Sequence, residues 1–534
     1  MPAPDIRSIG DDERTDVTAP PPPNLGDPAL AADLRADLAS YTSDVLDELL
    51  GPVAAAALAR EQRIPARIAL AESSEPLALL ARLFLLGDEL TGAEVERALP
   101  ATTPARAEAA HLVTRSATGR FRAAVDISPT GIDPADGPAW IVSDLPETVL
   151  GHALPPWHVL GVGGASQTLH ALLPQPPAGG SLGTVLDLGT GSGIQALTLA
   201  RRAERVIATD LSERALAFLC ANAALADIPD GVIEARAGSL FEPVAGETFD
   251  LIVSNPPFVI TPAAAYDAGL PVMEYRDSGT GASGDELLAR LIADLGTHLA
   301  PGGRAIILAN WEVRANEDEF ARPRAWVAAA EARAGVPLDS WIIRREFQDA
   351  AEYAEMWLRD GGLSDDYDAL YRAYLADFAA RGVRWVDFGY LLFTRPLSSE
   401  RGVHETSDLT GHAAPDGETL WRLAAERARL ERTSDSDLAA SRITAADDVT
   451  LEHHFRIGES QPEVITATQG GGLHQVVSCP TEMAGLLSAA DGSLTVGQIA
   501  AALAALLDVE GEAMAKACIA HTRRLASIGM LSVG

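Results

Sequence analysis

Lysine is almost absent from this chain, whose 534 residues include a single one, Lys516. Lysine and arginine together number 41 against 75 aspartates and glutamates, which gives a formal net charge of −34. An acidic field of this size repels the phosphate backbone of nucleic acids and gives little attraction to anionic membranes. We therefore expect no membrane partner, and nucleic acid is possible but disfavoured.

Cysteine is scarce as well. Cys220, Cys479 and Cys518 stand far apart and form no Cys-x-x-Cys pair, which indicates neither a disulfide framework nor a zinc site. The adjacent His453 and His454 fall in a predicted strand, where successive side chains point to opposite faces and cannot chelate one ion. We expect no bound metal.

Long apolar runs are missing too, since no stretch approaches the roughly 18 residues of a transmembrane helix. The first residues mix prolines with Asp and Glu and do not follow the charged-then-apolar order of a signal peptide. A hydrophobic content of 47% with 22% charged residues is ordinary for a folded protein of several domains. We expect a cytoplasmic location.

Changes in composition along the chain predict five segments. They are a disordered lead at 1–28, a helical, winged-helix-like domain at 29–150, an α/β domain at 151–398, a linker with one helix at 399–450, and a second winged-helix-like domain at 451–534.

The α/β domain has seven apolar runs that alternate with helical patterns, which indicates a Rossmann-like, largely parallel sheet. These candidate strands are 184–188, 205–210, 232–238, 249–255, 304–311, 340–347 and 385–396. A helical insertion at about 350–382, rich in tyrosine and acidic residues, separates the last two strands. We expect it to form a lid or an interface.

A glycine-rich loop follows the first of these strands, in VLDLGTGSGIQALTLA at 185–200. Glycine permits a tight turn and close approach of a ligand, and the following helix turns its N-terminus toward that ligand. About 20 residues later the second strand ends in Asp210, whose carboxylate can accept hydrogen bonds from ribose hydroxyls. Together these features predict a nucleoside-containing cofactor.

The fourth strand ends in Ser254-Asn255-Pro256-Pro257-Phe258. With the loop and Asp210, in this order and spacing, the sequence resembles the class I S-adenosylmethionine-dependent N-methyltransferases, in particular the protein-glutamine (release-factor type) and ribosomal RNA guanine methyltransferases of the small methyltransferase domain family. The resemblance covers about 155–311 and neither flank. It implies a seven-stranded methyltransferase core, S-adenosylmethionine as cofactor and S-adenosylhomocysteine as product.

The resemblance also assigns roles to individual residues. Asp187 and the loop would contact the methionine and sugar part of the cofactor, Asp210 would hold the ribose, and Gly238-Ser239-Leu240 would lie near the adenine. Ser239 stands where the family usually has an acidic residue. The cofactor-binding set implied in this way is Gly161, Gly163, Gly164, Asp187, Gly189, Thr190, Gly191, Gly193, Asp210, Leu211, Gly238, Ser239, Leu240 and Asn255.

The Asn255-Pro256-Pro257-Phe258 tetrad suits transfer to a planar nitrogen. The lone pair of an amide or exocyclic amine is delocalised, so hydrogen bonds to the Asn255 side-chain oxygen and the Pro256 carbonyl would localise it. Phe258 would stack on the planar acceptor, while Pro256 and Pro257 stiffen the loop. The alternative is a strand that merely ends in a turn.

Further substrate contacts are predicted at Tyr275, Arg276 and Asp277, in a glycine-rich stretch that could equally be a surface loop. Trp311, at the end of the fifth strand, could face the same pocket, because open α/β sheets bind ligands at the carboxyl ends of their strands. Buried packing is the alternative for this indole.

Four targets remain open: a protein side-chain amide, an RNA exocyclic amine, a small molecule, or none in the case of a cofactor-bound scaffold. Residues 31–150 and 151–310 each carry about eight more acidic than basic residues, so neither offers the basic face that nucleic acid needs. A cluster of Arg115, Arg120 and Arg122 favours RNA, and the alternative is an ordinary solvent-exposed wing. The sequence favours a protein substrate and leaves the oligomeric state open.

Overall fold

The computed structural model describes residues 19–152, 154–155, 157–257, 259–262, 285–360, 366–397 and 401–534. The predicted contacts Phe258, Tyr275, Arg276 and Asp277 lie outside the described residues.

The N-terminal region is mainly helical and ends in two antiparallel strand pairs. Its helices are Pro28–Leu38, Ser43–Leu58, Ile64–Leu70, Pro76–Leu80, Gly92–Ala98, Pro104–Ala109 and Glu147–Leu150, with a π-helical turn at Ala81–Leu85. Strand β1 (Val113–Arg115) pairs with β2 (Phe121–Ala123), and β3 (Asp126–Pro129) pairs with β4 (Trp140–Ser143).

One helix of the α/β domain completes the core of this region. Ala215, Phe218 and Leu225 of the helix Glu213–Leu225 are buried in the same apolar cluster as the N-terminal helices. The N-terminal region therefore packs directly on the α/β domain.

The central sheet contains eight strands within the described residues. They are β5 (Thr184–Leu188), β6 (Arg205–Asp210), β7 (Ile233–Ala237), β8 (Phe249–Ser254), β9 (Leu299–Arg314), β10 (Asp339–Asp349), β11 (Val383–Thr394) and β12 (His404–Asp408). Their order is β12-β10-β11-β9-β8-β5-β6-β7, and β11 alone runs antiparallel to its neighbours. All seven strands expected from the sequence are present.

Helices cover both faces of the sheet and bury two separate apolar layers. They are Gly164–Ala171, Ile194–Leu199, Glu213–Leu225, Glu286–His298 and Ala321–Ala334, with a short 3-10 turn at Glu242–Val244. The insertion helices Ala350–Asp360 and Tyr367–Arg381 pack in a separate apolar cluster with β11. Parallel strands end at one edge, so β5, β6 and β8 bring Leu188, Asp210 and Ser254 together there.

Residues 404–408 and 417–432, within the segment expected to be a linker, pack on the α/β domain. Strand β12 extends the sheet alongside β10, and the helix Gly417–Arg432 packs on one sheet face. The Trp421 indole N–H donates to the Leu172 carbonyl at 3.1 Å. This edge strand was not predicted from the sequence, because the side chains of β12 are polar and mostly half-exposed.

The C-terminal region contains two three-stranded sheets. Strand β13 (Arg442–Ala445) lies between β17 (Asp491–Thr495) and β18 (Leu531–Val533), and β15 (Val464–Gln469) lies between β14 (Val449–His454) and β16 (Val476–Ser478). The helices are Asp435–Ala440, Thr481–Ser488, Val496–Leu507 and Gly511–Ser527. None of the described helices is both long and apolar enough to cross a bilayer.

Candidate active site

The glycine loop after β5 needs glycine at three positions. Gly189, Gly191 and Gly193 have φ of +75°, +55° and +97°, a region that side chains disfavour. A Cβ atom on Gly193 would come within 2.4 Å of Leu219, whereas Cβ atoms on Gly189 and Gly191 would meet nothing within 4 Å. Gly193 is thus required by packing, and the other two glycines line open space.

Asp187, next to the last residue of β5, holds the shape of this loop. The carboxylate accepts hydrogen bonds from the Thr190 hydroxyl at 2.6 Å and the Ala196 amide at 3.0 Å. Complete burial raises the pKa of Asp187 to about 7, and the nearby charge of Asp210 adds to the rise. The structure therefore gives Asp187 a positioning role for the loop.

Asp210 at the end of β6 connects two parts of the site. One carboxylate oxygen accepts from the Gly191 amide at 2.9 Å and the other from the Ser212 amide at 2.8 Å. Burial raises the pKa of this carboxyl group, while these hydrogen bonds lower it. Each carboxylate oxygen has a second lone pair, so the group can still accept hydrogen bonds from a ribose.

The turn after β7 contacts the backbone of Asp210, because the Gly238 amide donates to the Asp210 backbone carbonyl at 3.0 Å. Gly238 has a φ of +149°, and a Cβ there would come within 2.5 Å of Pro243. Leu240 is partly buried with a φ of +47°, and Leu211 is exposed at the end of β6. Ser239 is part of the same turn.

Asn255 follows β8 at the same edge of the sheet. Its side-chain NH2 donates to the Ser166 hydroxyl at 3.3 Å, and the oxygen at the other end of the amide can accept hydrogen bonds. Pro256 is buried and Pro257 is exposed. The strand end therefore presents a hydrogen-bond acceptor next to a rigid dipeptide.

The helix Gly164–Ala171 connects Asn255 to the helix that follows the glycine loop. The Gln195 side-chain NH2, in the helix Ile194–Leu199, donates to the Ser166 carbonyl at 2.8 Å, so Ser166 contacts both Gln195 and Asn255. Cβ atoms on Gly163 and Gly164 would meet nothing within 4 Å, whereas one on Gly161 would lie 3.0 Å from the Ser143 hydroxyl.

Tyr353 of the insertion holds the chain just after the tetrad. Its hydroxyl oxygen accepts from the Ile260 amide at 2.9 Å and from the Asn310 side-chain NH2 at 3.0 Å. Complete burial raises the pKa of Tyr353 far above its usual value. The insertion is thus attached to the loop that follows Asn255, a link that the sequence analysis missed.

Trp311 is placed differently from the expected substrate contact. The indole is fully buried in an apolar layer with Phe320, and its N–H donates to the Glu319 carbonyl at 2.8 Å. Residues 305, 307, 309 and 313 alternate along β9 onto the same face, so the strand period directs this side chain into the core. Packing, the alternative interpretation, accounts for Trp311.

Asn222 is another residue that the sequence analysis missed. Its side chain is fully buried and makes three hydrogen bonds, two with the backbone of Val142 and one to the Ser192 carbonyl in the glycine loop. The signal was present, because Asn222 lies one turn after Phe218 on the apolar face of its helix.

The site fits S-adenosylmethionine. The open space at Gly189 and Gly191, the remaining lone pairs of Asp210, and the unobstructed Gly163 and Gly164 lie around one edge of the sheet. Among the residues that the structure describes, no group of three or more His, Cys, Asp or Glu side chains is arranged to hold a metal ion.

Two families match the chain. Residues 161–274 match the family described as Methyltransferase small domain, and residues 38–124 match a family described as Domain of unknown function (DUF7059). The first match contains the glycine loop, Asp210 and the tetrad.

Curated relatives include release factor glutamine methyltransferases. The protein from Xylella fastidiosa (strain Temecula1) is 38% identical over 135 residues, which cover 24% of this chain and 47% of the relative. The protein from Gloeobacter violaceus is 36% identical over 22% of this chain and 43% of the relative. The chain thus spans less than half the length of these relatives.

A ribosomal protein L11 methylase from Lactobacillus delbrueckii subsp. bulgaricus is a similar solved structure, with a TM-score of 0.22 and 23% identity over 46% of this chain and 82% of that chain. The family match and the relatives confirm the resemblance found in the sequence. Residues 161–274 form a methyltransferase small domain of the class I S-adenosylmethionine-dependent type.

Proposed function

We propose that the chain is an S-adenosylmethionine-dependent N-methyltransferase that acts on a planar nitrogen, with a side-chain amide of a protein as the preferred acceptor. The observation that carries this proposal is the position of Asn255. Its amide lies at the carboxyl end of β8, and Ser166 connects it through Gln195 to the helix that follows the glycine loop.

The proposed chemistry depends on the hydrogen bonds that these residues would make with the amide of the substrate. The cofactor supplies a methyl group on a sulfonium, and the Asn255 oxygen with the Pro256 carbonyl would accept hydrogen bonds from the acceptor NH2. These bonds would localise the nitrogen lone pair and point it along the transfer direction. The N–CH3 bond would form as the S–CH3 bond breaks, which leaves S-adenosylhomocysteine, and the methylated nitrogen, now strongly acidic, would then lose one proton. The hydrogen bond to Ser166 would hold the Asn255 amide in place, and Phe258 is proposed to stack on the acceptor.

The remaining cofactor contacts are proposed from the geometry of the loop. Gly189, Gly191, Gly193 and Thr190 would follow the methionine part, Asp210 the ribose, and Leu211 with Gly238, Ser239 and Leu240 the adenine. Gly161, Gly163 and Gly164 would cover the cofactor from the other side. Asp187 would act by holding the loop.

A protein acceptor is favoured by the acidic composition and by the relatives, whose names specify release factor glutamine. The flanking regions are proposed to be winged-helix-like modules that bind the protein substrate. Tyr275, Arg276 and Asp277 are proposed to line the acceptor pocket.

A tritiated-methyl transfer assay tests the proposal. Purified protein and labelled cofactor are added to lysate from a strain that lacks the gene, and the label is divided into protease-sensitive and RNase-sensitive fractions. We expect protease-sensitive label that complete enzymatic digestion releases as methylglutamine. RNase-sensitive label would show that the methyl acceptor is RNA and not protein. Label in neither fraction would contradict both the protein and the RNA hypotheses.

The matched variants are Asn255→Ala and Ser166→Ala. Asn255→Ala should lower the transfer rate by about two orders of magnitude or more, the scale of one lost transition-state hydrogen-bonding group. Its affinity for S-adenosylhomocysteine should stay within a few-fold of wild type. Ser166→Ala should cause a smaller loss, because it removes only the orientation of Asn255. An Asn255→Ala protein with normal turnover would refute the mechanism.

A further inference from the structure

The connection between the N-terminal region and the α/β domain contains a buried ion pair. The Arg214 guanidinium contacts both carboxylate oxygens of Asp144, at 2.9 Å from Nε and 2.6 Å from Nη2. The two side chains are 10% and 4% exposed. Because two hydrogen bonds join these groups away from solvent, both the distance between Arg214 and Asp144 and their relative orientation are fixed.

Asp144 also holds the chain on the other side of the cofactor site. Its carboxylate accepts from the Val159 amide at 2.9 Å, and its own backbone N–H donates to the Val159 carbonyl at 3.0 Å. The neighbouring His158 ring contacts the Leu145 carbonyl at 3.0 Å. The start of the segment 158–164 is therefore fixed to the residues that follow β4.

Arg214 stands at the opposite end of this connection, close to the ribose carboxylate. It lies two residues after Ser212, whose amide donates to Asp210 at 2.8 Å. The guanidinium lies over the rings of Trp157 and Phe218, at 5.0 Å and 5.2 Å from their centroids. One ion pair thus joins the helix after Asp210 to the segment that carries Gly161, Gly163 and Gly164.

We infer that Asp144 is a positioning residue for the cofactor site: through Val159 and Arg214 it holds the segment 158–164 in place over the site before the cofactor binds. The inference rests on the proposed function for the identity of the cofactor. A segment already ordered in the free protein loses less conformational entropy on binding, so its release lowers affinity without removing any direct contact.

The same interface supplies a matched control. Arg35 of the helix Pro28–Leu38 donates to the Ala224 carbonyl at 2.7 Å and pairs with Asp227 at 3.0 Å. This contact joins the N-terminal region to the far end of the helix Glu213–Leu225, away from Asp210. Loss of Arg35 therefore weakens the interface without loosening segment 158–164.

Calorimetric titration with S-adenosylhomocysteine tests the inference on the full chain. Asp144→Asn and Arg214→Met should each weaken binding about tenfold, the scale of one lost charge-assisted hydrogen bond. Arg35→Met should leave affinity within about twofold. Equal losses in all three variants, or no loss in Asp144→Asn, would overturn the positioning role.

A second measurement uses the wild-type protein and does not depend on the folding of any variant. Hydrogen exchange of the free protein should show the Val159 amide protected before S-adenosylhomocysteine is added, with residues 160–164 gaining further protection on binding. Fast exchange at Val159 in the free protein would contradict the inference. Absence of any binding by the wild type would instead refute the proposed function.

Discussion

Asn222 and Val142 exchange two hydrogen bonds across the boundary between the α/β domain and the N-terminal region. The Asn222 oxygen accepts from the Val142 amide at 2.8 Å, and its NH2 donates to the Val142 carbonyl at 2.9 Å. The second hydrogen of that NH2 bonds to the Ser192 carbonyl in the glycine loop. The Asn222 amide therefore pairs with both backbone groups of Val142 in β4 and with one carbonyl of the glycine loop.

Asn222→Ala should lower the free energy of unfolding by about 2–4 kcal/mol, because it leaves buried backbone groups without partners. Urea titration followed by circular dichroism measures the change. The control is Asn24→Ala, whose exposed side chain accepts one local hydrogen bond and whose loss should cost less than about 0.5 kcal/mol. Similar values for both variants would disprove the importance of the buried amide.

Asp187→Asn should raise the melting temperature more at pH 8 than at pH 5. Burial raises the pKa of Asp187 from 3.8 in the unfolded chain to about 7 in the folded protein, so the folded protein binds the extra proton between these values. Stability from this group therefore falls as pH rises from about 4 to 7, and the neutral amide removes that loss.

Asp126→Asn is the matched control for that experiment. Burial also raises the pKa of Asp126 to about 7, but Asp126 lies in β3 of the N-terminal region. Asp126→Asn should change the melting temperature with the same dependence on pH. It should leave the affinity for S-adenosylhomocysteine unchanged, whereas Asp187→Asn can change that affinity by altering the glycine loop. A pH-independent difference for Asp187→Asn would contradict the raised pKa.

Asp210→Ala should weaken binding of S-adenosylhomocysteine by about 1.5–3 kcal/mol, the scale of hydrogen bonds to a charged group. The loss combines the ribose contact with the support that Asp210 gives to the Gly191 amide. Calorimetry measures it, with the exposed Asp230→Ala as a control of equal charge change. Unchanged affinity in Asp210→Ala would exclude the assigned role.

Tyr353→Phe should speed hydrogen exchange at the Ile260 amide, because the acceptor for that N–H is removed. Methyl transfer should slow while affinity for S-adenosylhomocysteine stays the same, since Tyr353 contacts the loop after Asn255 and not the glycine loop. Tyr371→Phe removes a hydroxyl of the same insertion that donates to Glu355. If that control slows transfer equally, the specific link through Ile260 is refuted.

The sequence was sufficient to place features that depend on neighbouring residues. The glycine loop, Asp210 and Asn255 each belong to a short motif at the end of an apolar strand, so both their identity and their common edge could be predicted. All seven strands were also predicted, although β9 continues to Arg314 because β11 pairs with it that far.

Contacts between residues that are far apart in the sequence could not be predicted from local motifs. Asn222 bonds to a residue 80 positions away, Arg214 to one 70 away and Ile260 to one 93 away. Strand β12 was missed because its polar residues form an edge with little burial, and Trp311 was misplaced because both an interior and a pocket favour an indole.

The position of β11 between β9 and β10 affects how the chain is made. As the ribosome releases the chain from its N-terminus, the long apolar strand β9 can pair with β8, but its other edge stays open until residues 383–394 have emerged. An open apolar edge is a template for pairing with another chain. We therefore expect the nascent protein to be prone to aggregate between the synthesis of β9 and that of β11, and slow translation over that interval to lower the yield of folded protein.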